Sequence, residues 1–224
     1  MTLKSVIHVP TFLITVIMSF LLVFIFITLR MNLPLDCNFR KKSKEKFINS
    51  AKTGDILAVA YGSKRAGLVK VFTGSMWAHS AIIIKNENQS YVLEVARYSM
   101  NKRGIMVMPL DKWLSKNGNN KIAVSRYLGT PIANSYIAHF LEKNEKIREE
   151  MNVANWLSAM VKRSYIPQNK KKMFCSELVC YFLQEIGIMR KKYRPSGYKP
   201  WELLYGNIPL STGCTYDKPF LLIE

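Results

Sequence analysis

The apolar pattern of this 224-residue chain changes period once, at Pro131, and that change constrains the fold more than any other feature. Before it, short apolar runs recur between turn residues: Ile56–Tyr61, His79–Ile84, Tyr91–Ala96, Ile105–Leu110 and Lys121–Leu128. Runs of this length, rich in β-branched residues and bounded by Gly, Asn and Asp, read as strands. The turn Asn86–Gln89 joins two of them into a hairpin. Asp111 is placed to cap a short helix after the fourth run. Beyond Pro131, Ile137, Phe140, Leu141, Ile147, Met151, Ala154, Trp156 and Leu157 keep a helical spacing over 132–161. Cys175–Ile186 is a further helix, stopped by Gly187. The tail from Tyr193, rich in Pro and Gly, is expected to wrap the surface.

A second constraint lies at the N-terminus. Between Ser5 and Leu29 there is no Asp, Glu, Lys or Arg, and Thr11–Leu29 is almost wholly apolar. A membrane span needs roughly 20 such residues. A cleaved signal peptide would carry a shorter apolar region and a small-residue cleavage site, whereas Leu29-Arg30-Met31-Asn32 follows here. The expected organisation is therefore an anchor over 1–30, a basic linker over 31–50 that runs into a short helix, and a folded domain over 51–224. Lys4 precedes the apolar segment, while Arg30, Arg40, Lys41, Lys42, Lys44 and Lys46 follow it. The positive-inside rule then puts the domain on the cytoplasmic side of a single-pass membrane protein.

Lys and Arg outnumber Asp and Glu by 33 to 15, a formal charge of +18 that calls for an anionic partner. An anionic lipid surface fits the basic run after the apolar segment. Nucleic acid is disfavoured, because the basic clusters carry no aromatic readout motif. Four cysteines, Cys37, Cys175, Cys180 and Cys214, lack the close spacing of a zinc site, so no metal is expected. Cys175 and Cys180 point in different directions from one helix and are not a disulfide pair.

The chemistry centres on His79 and Cys175. His79 opens the second strand, and Cys175 opens a helix, where the positive end of the dipole favours thiolate. An imidazole on a rigid strand can take the thiol proton. A turn centred between Glu87 and Asn88 pairs Ala81 with Glu94 and makes His79 and Glu94 diagonal neighbours on one sheet face, roughly 7–8 Å apart at Cα. A three-residue turn would send Glu94 to the other face. A buried carboxylate in an apolar strand needs a partner, and a histidine supplies one. Cys180, on the apolar face of the same helix, reads as a buried small hydrophobe.

Four segments together resemble the circularly permuted NlpC-type papain-like superfamily, which includes YiiX-like proteins, lecithin retinol acyltransferase-like enzymes and a poxvirus branch. They are Gly54-Asp55-Ile56-Leu57, Phe72–Ser75 with Trp77–Ile82, Leu93–Ala96, and Phe174-Cys175-Ser176-Glu177-Leu178-Val179. The resemblance covers about Thr53 to Trp201. It implies an α+β fold in which the cysteine helix packs on an antiparallel sheet or half-barrel. It also implies Cys175 as nucleophile, His79 as base and Glu94 as the orienting residue, with no cofactor. Ser176, Trp77 and Tyr165 are expected in support, Tyr165 from a loose match of Lys162-Arg163-Ser164-Tyr165 to a Gly-Lys-x-Tyr segment. The function so implied is a thiol hydrolase or acyltransferase acting on an amide, ester or thioester of a lipid, peptide or lipidated substrate. The alternative is a catalytically silent membrane or virion structural protein, or a binder of anionic surfaces or nucleic acid.

Overall fold

The structure, a computed structural model, describes residues 11–32, 39–62, 67, 69–70, 73–97, 103–149 and 171–224. It divides into two units, Met1–Cys37 and Asn38–Glu224. The first contains helix α1 (Thr11–Asn32). Its described side chains run only from Leu13 to Val23 and most are exposed, Phe20 at 72%. Among the described residues no helix is long and apolar enough to cross a membrane. The anchor expected over 1–30 is thus not shown by the fold.

The second unit opens earlier than the sequence suggests. Residues 40–43, expected to be linker, form strand β1 (Arg40–Ser43), and the short helix expected after them is α2 (Lys44–Ser50), with Ser43 Oγ accepting from Lys46 N–H at the helix start. Phe47 of α2 is fully buried. Then come β2 (Ile56–Ala60), β3 (His79–Asn86), β4 (Gln89–Arg97) and β5 (Arg103–Pro109). Helix α3 (Leu110–Lys116) and β6 (Lys121–Ser125) follow. Asp111 does not cap α3: the helix starts at Leu110, with Pro109 in the cap position, so Asp111 lies inside the first turn.

Helix α4 spans Asn134–Asn144, and residues 145–149 leave the helix expected over 132–161, of which 150–161 lie outside the described residues. Asn144 ends it by turning its amide back to the Phe140 carbonyl at 2.8 Å. Ile147 keeps the helical spacing in sequence but belongs to the next turn, where its carbonyl accepts from Ile105 N–H at 3.3 Å. A Cβ on Gly104 (φ +154°) would stand 2.7 Å from that carbonyl, so the close approach of β5 requires glycine. Residues 150–170 lie outside the described residues. After them the chain forms β8 (Lys172–Met173), which pairs in parallel with β7 (Arg148–Glu149). Helices α5 (Cys175–Glu185) and α6 (Pro200–Leu204) and strand β9 (Phe220–Ile223) complete the unit.

The main sheet has seven strands in the order β1-β9-β6-β2-β3-β4-β5. Its pairs are antiparallel except β1 with β9. The tail expected to wrap the surface therefore ends as a strand within the sheet, between β1 and β6. Side-chain alternation splits the core across the two faces. Ile56, Ile82, Ile84, Leu93 and Val95 pack with Leu178, Val179 and Phe182 of α5. Leu57, Val59, Ala81, Ile83 and Val92 pack with Phe47, Trp113, Leu114 and Phe220. At about 1.5–3 kcal/mol per fully buried large aliphatic, these two layers supply most of the driving force for folding. The α+β class with the cysteine helix laid on the sheet is what the resemblance implied.

Candidate active site

Helix α5 is held at both ends. Phe174 precedes it in extended conformation (φ −76°, ψ 162°) and has no side-chain acceptor to cap it. Glu177 substitutes by accepting from Phe174 N–H at 3.3 Å, and Leu178 N–H makes the first helical bond to Phe174 O at 2.9 Å. At the far end Ile188 N–H reaches Leu183 O at 2.8 Å and Gly187 N–H reaches Gln184 O at 3.2 Å, a Schellman closure with Gly187 at φ +80°. Leu178, Val179, Phe182 and Leu183 bury the helix against the sheet. Cys175 is left as its first residue, half-buried, where the helix N-terminus leaves backbone N–H groups without intrahelical partners.

His79 is the first residue of β3 and pairs with Val59 of β2. The hairpin turn consists of Glu87 and Asn88, with Glu87 at φ 50°, and Asn86 pairs with Gln89. The same ladder pairs Ile82 with Leu93 and so carries Ala81 opposite Glu94, the register derived from the two-residue turn. His79 and Glu94 consequently share a face. His79 Nε2 lies 2.7 Å from Glu94 Oε2, with the two side chains only 12% and 5% exposed. Nδ1 is the ring nitrogen that remains for the sulfur.

Burial alone would lower the pKa of His79 and raise that of Cys175, since it disfavours the charged forms. The outcome is the reverse for both. His79 lies well above the ordinary imidazole value, because its attraction to the Cys175 thiolate, its hydrogen bond to the sulfur and the Glu94 carboxylate outweigh desolvation. Cys175 lies below the ordinary thiol value, because the imidazolium and hydrogen bonds from His79 and Ser80 outweigh desolvation. The direction supported is a thiolate–imidazolium pair. Cys180, five residues on and fully buried, is pushed well above the thiol range by burial and by Glu177 and Glu202. Its reading as a core residue agrees with this.

Two residues at the site were not singled out from sequence. Tyr61 stacks at a tilt on His79, ring centroids 5.7 Å apart, and donates its hydroxyl to Asn117 Oδ1 at 3.0 Å. It sits two positions after Val59, the partner of His79, on the same face. That placement depends on the β2–β3 register, which the long connection from Gly62 to Ala78 does not reveal. Ser80 is the second. It is fully buried and hydrogen-bonds the Cys175 sulfur through its backbone, which favours the thiolate. Its signal was its position beside His79 in a strand whose next residues are all apolar.

The expected supporting residues separate. Ser176 lies in the first turn of α5 and is 8% exposed. Trp77 is buried with Ala58, Ala123 and Leu204, its ring edge-on to Phe39 at 5.9 Å. Tyr165 lies outside the described residues. Among the described residues no group of three or more His, Cys, Asp or Glu side chains is placed to hold a metal ion.

Residues 50–199 match the family described as permuted papain-like amidase enzyme, YaeF/YiiX, C92 family. The chain belongs to that family. Among solved structures it is similar to the crystal structure of the metalloprotein YiiX from Escherichia coli O157:H7, at 16% identity and a TM-score of 0.40, over 74% of this chain and 96% of that one. No curated protein matches it.

Proposed function

We propose that the domain is a cysteine hydrolase in which Cys175 is the nucleophile, His79 the general base and acid, and Glu94 the residue that orients His79. The observation that carries this reading is the chain of contacts from a helix-start sulfur, through an imidazole, to a carboxylate at 2.7 Å. The Cys175 thiolate attacks an amide, ester or thioester carbonyl and forms a tetrahedral intermediate. Backbone N–H groups of Cys175 and Ser176, which have no intrahelical partners at the helix start, are suited to stabilise its oxyanion. His79 imidazolium gives its proton to the leaving amine, alcohol or thiol as the acyl-enzyme forms. It then takes a proton from water, which releases the acid, or from an acceptor nucleophile, which completes acyl transfer. Glu94 holds the ring orientation and favours the charged ring. The apolar, charge-free run before Arg30 supports anchoring of the domain at a membrane, on its cytoplasmic side, with a lipid or lipidated substrate within reach.

The test is alkylation of the full chain in detergent by alkyne-tagged iodoacetamide at pH 6, followed by peptide mapping, with turnover of a short-chain thioester and a p-nitroanilide measured alongside. Cys175 is expected to label fast and Cys180 hardly at all. Cys175→Ala should abolish turnover, while Cys180→Ala retains it. Even, slow labelling of Cys175 and Cys214, with no turnover of either substrate, would end the hydrolase reading and leave a silent scaffold.

A further inference from the structure

The sheet edge opposite β5 carries a cluster that the hydrolase chemistry does not use. Arg40, Lys41, Lys42, Lys52, Arg126 and Lys218 line one open cleft of about 370 Å³. Asp217 is the single acidic lining residue, so seven of nine lining residues are charged, against 21% in the chain as a whole. The concentration therefore belongs to this place and is not a by-product of a basic composition. Strands β9, β6 and β2 separate β1 from β3 and its His79.

The heads of two of these cations are already fixed. Arg126 bonds Asp55 at 2.9 Å and lies over the Phe47 ring, 5.9 Å from its centroid. Lys42 lies over Phe220 at 5.4 Å and donates to Ser50 Oγ at 3.3 Å. Arg40 meets Asp217 only at 3.9 Å, with both side chains well exposed, a contact worth little in water. Lys41 and Lys218 make no ion pair among the described residues. Like charges held this close repel, and a compact polyanion relieves all of them together. A guanidinium fork and several ammonium points are the donor set that suits phosphoryl oxygens.

We infer that this cleft binds a phosphate-bearing anion of charge two or more, supplied either as a lipid headgroup or as a free diphosphate. The inference stands apart from the hydrolase reading, since none of its residues touches the Cys175–His79 pair. The test uses the full chain in detergent micelles and two probes, pyrophosphate and phosphatidic acid doped into the micelles at 5%, measured by calorimetry. Lys41→Ala/Lys218→Ala should weaken binding at least tenfold. The exposed pair Lys191→Ala/Lys192→Ala, elsewhere on the surface, should change it less than twofold. Thermal melts establish that both variants are folded. Tighter binding of the lipid assigns the cleft to a membrane headgroup, and tighter binding of pyrophosphate assigns it to a soluble anion. The inference is overturned by no binding of either probe, or by equal weakening in the two double variants, which is the signature of net charge alone. A DNA duplex bound more tightly than both probes, and indifferent to Lys41→Ala/Lys218→Ala, would overturn it as well.

Discussion

At the residue scale, the behaviour of the site turns on which charges Glu94 and Cys175 put around one ring. The Cys175 thiolate and the Glu94 carboxylate both favour imidazolium, so His79 holds its proton above the usual imidazole range. Glu94→Gln removes one of these charges and keeps the shape. The ring must then lose its proton at lower pH, and the alkaline limb of the kcat profile, where imidazolium is lost as leaving-group acid, should move acidward. The rate at the optimum should fall about 10²-fold, the scale of a misplaced general acid–base group. A pH–rate profile checks this. A uniform fall with an unmoved alkaline limb would make Glu94 a structural residue only. The pairing of His79 with Glu94 was open to sequence reasoning because a two-residue turn sets every partner in a hairpin. The place of Tyr61 was not, because its neighbour strand joins β3 through a long connection whose length sets no register.

At the element scale, helix α5 carries the nucleophile in its first turn and is closed by a glycine after its last. Gly187 is the C′ residue of that helix at φ +80°, and a Cβ added there would meet nothing within 4 Å. Gly187→Ala therefore causes no clash and tests the left-handed backbone cost by itself. Thermal or urea melts should show a loss of about 1–2 kcal/mol. Iodoacetamide labelling of Cys175 in the folded protein should stay at the wild-type rate, because the cap and the thiol sit at opposite ends of the helix. The helix itself was plain in sequence from its apolar face and its glycine stop. The end of α4 was not, because Ile147 fits the helical period while Asn144 uses a local side-chain bond to leave it. Such back-bonding to a carbonyl four residues earlier competes with the helix and is invisible to periodicity.

At the scale of the whole molecule, the sheet depends on residues far apart in the chain. The four hydrophobic residues of β9 give no sequence clue to their neighbours, and β1 reads as a charged linker. Only the fold reveals that the two pair with each other. Phe220 is 8% exposed and sits edge-on to Phe47 at 6.1 Å. Phe220→Ala should cost about 3 kcal/mol through the cavity it leaves. Chemical denaturation should show that loss in a single cooperative transition, with the labelling of Cys175 below the transition unchanged. Two separate transitions would mean that the β1–β9 edge unfolds on its own.

The pairing of β1 with β9 also sets an order on biosynthesis. β1 emerges from the ribosome early and has no partner there until β9, the last strand of the domain, has been made. Until then β1 is an unpaired basic strand and β6 is an exposed edge, a state open to strand exchange with a neighbouring nascent chain. Slow translation of the codons for β9 would lengthen that vulnerable interval, and the positive charge of Arg40, Lys41 and Lys42 keeps like edges apart.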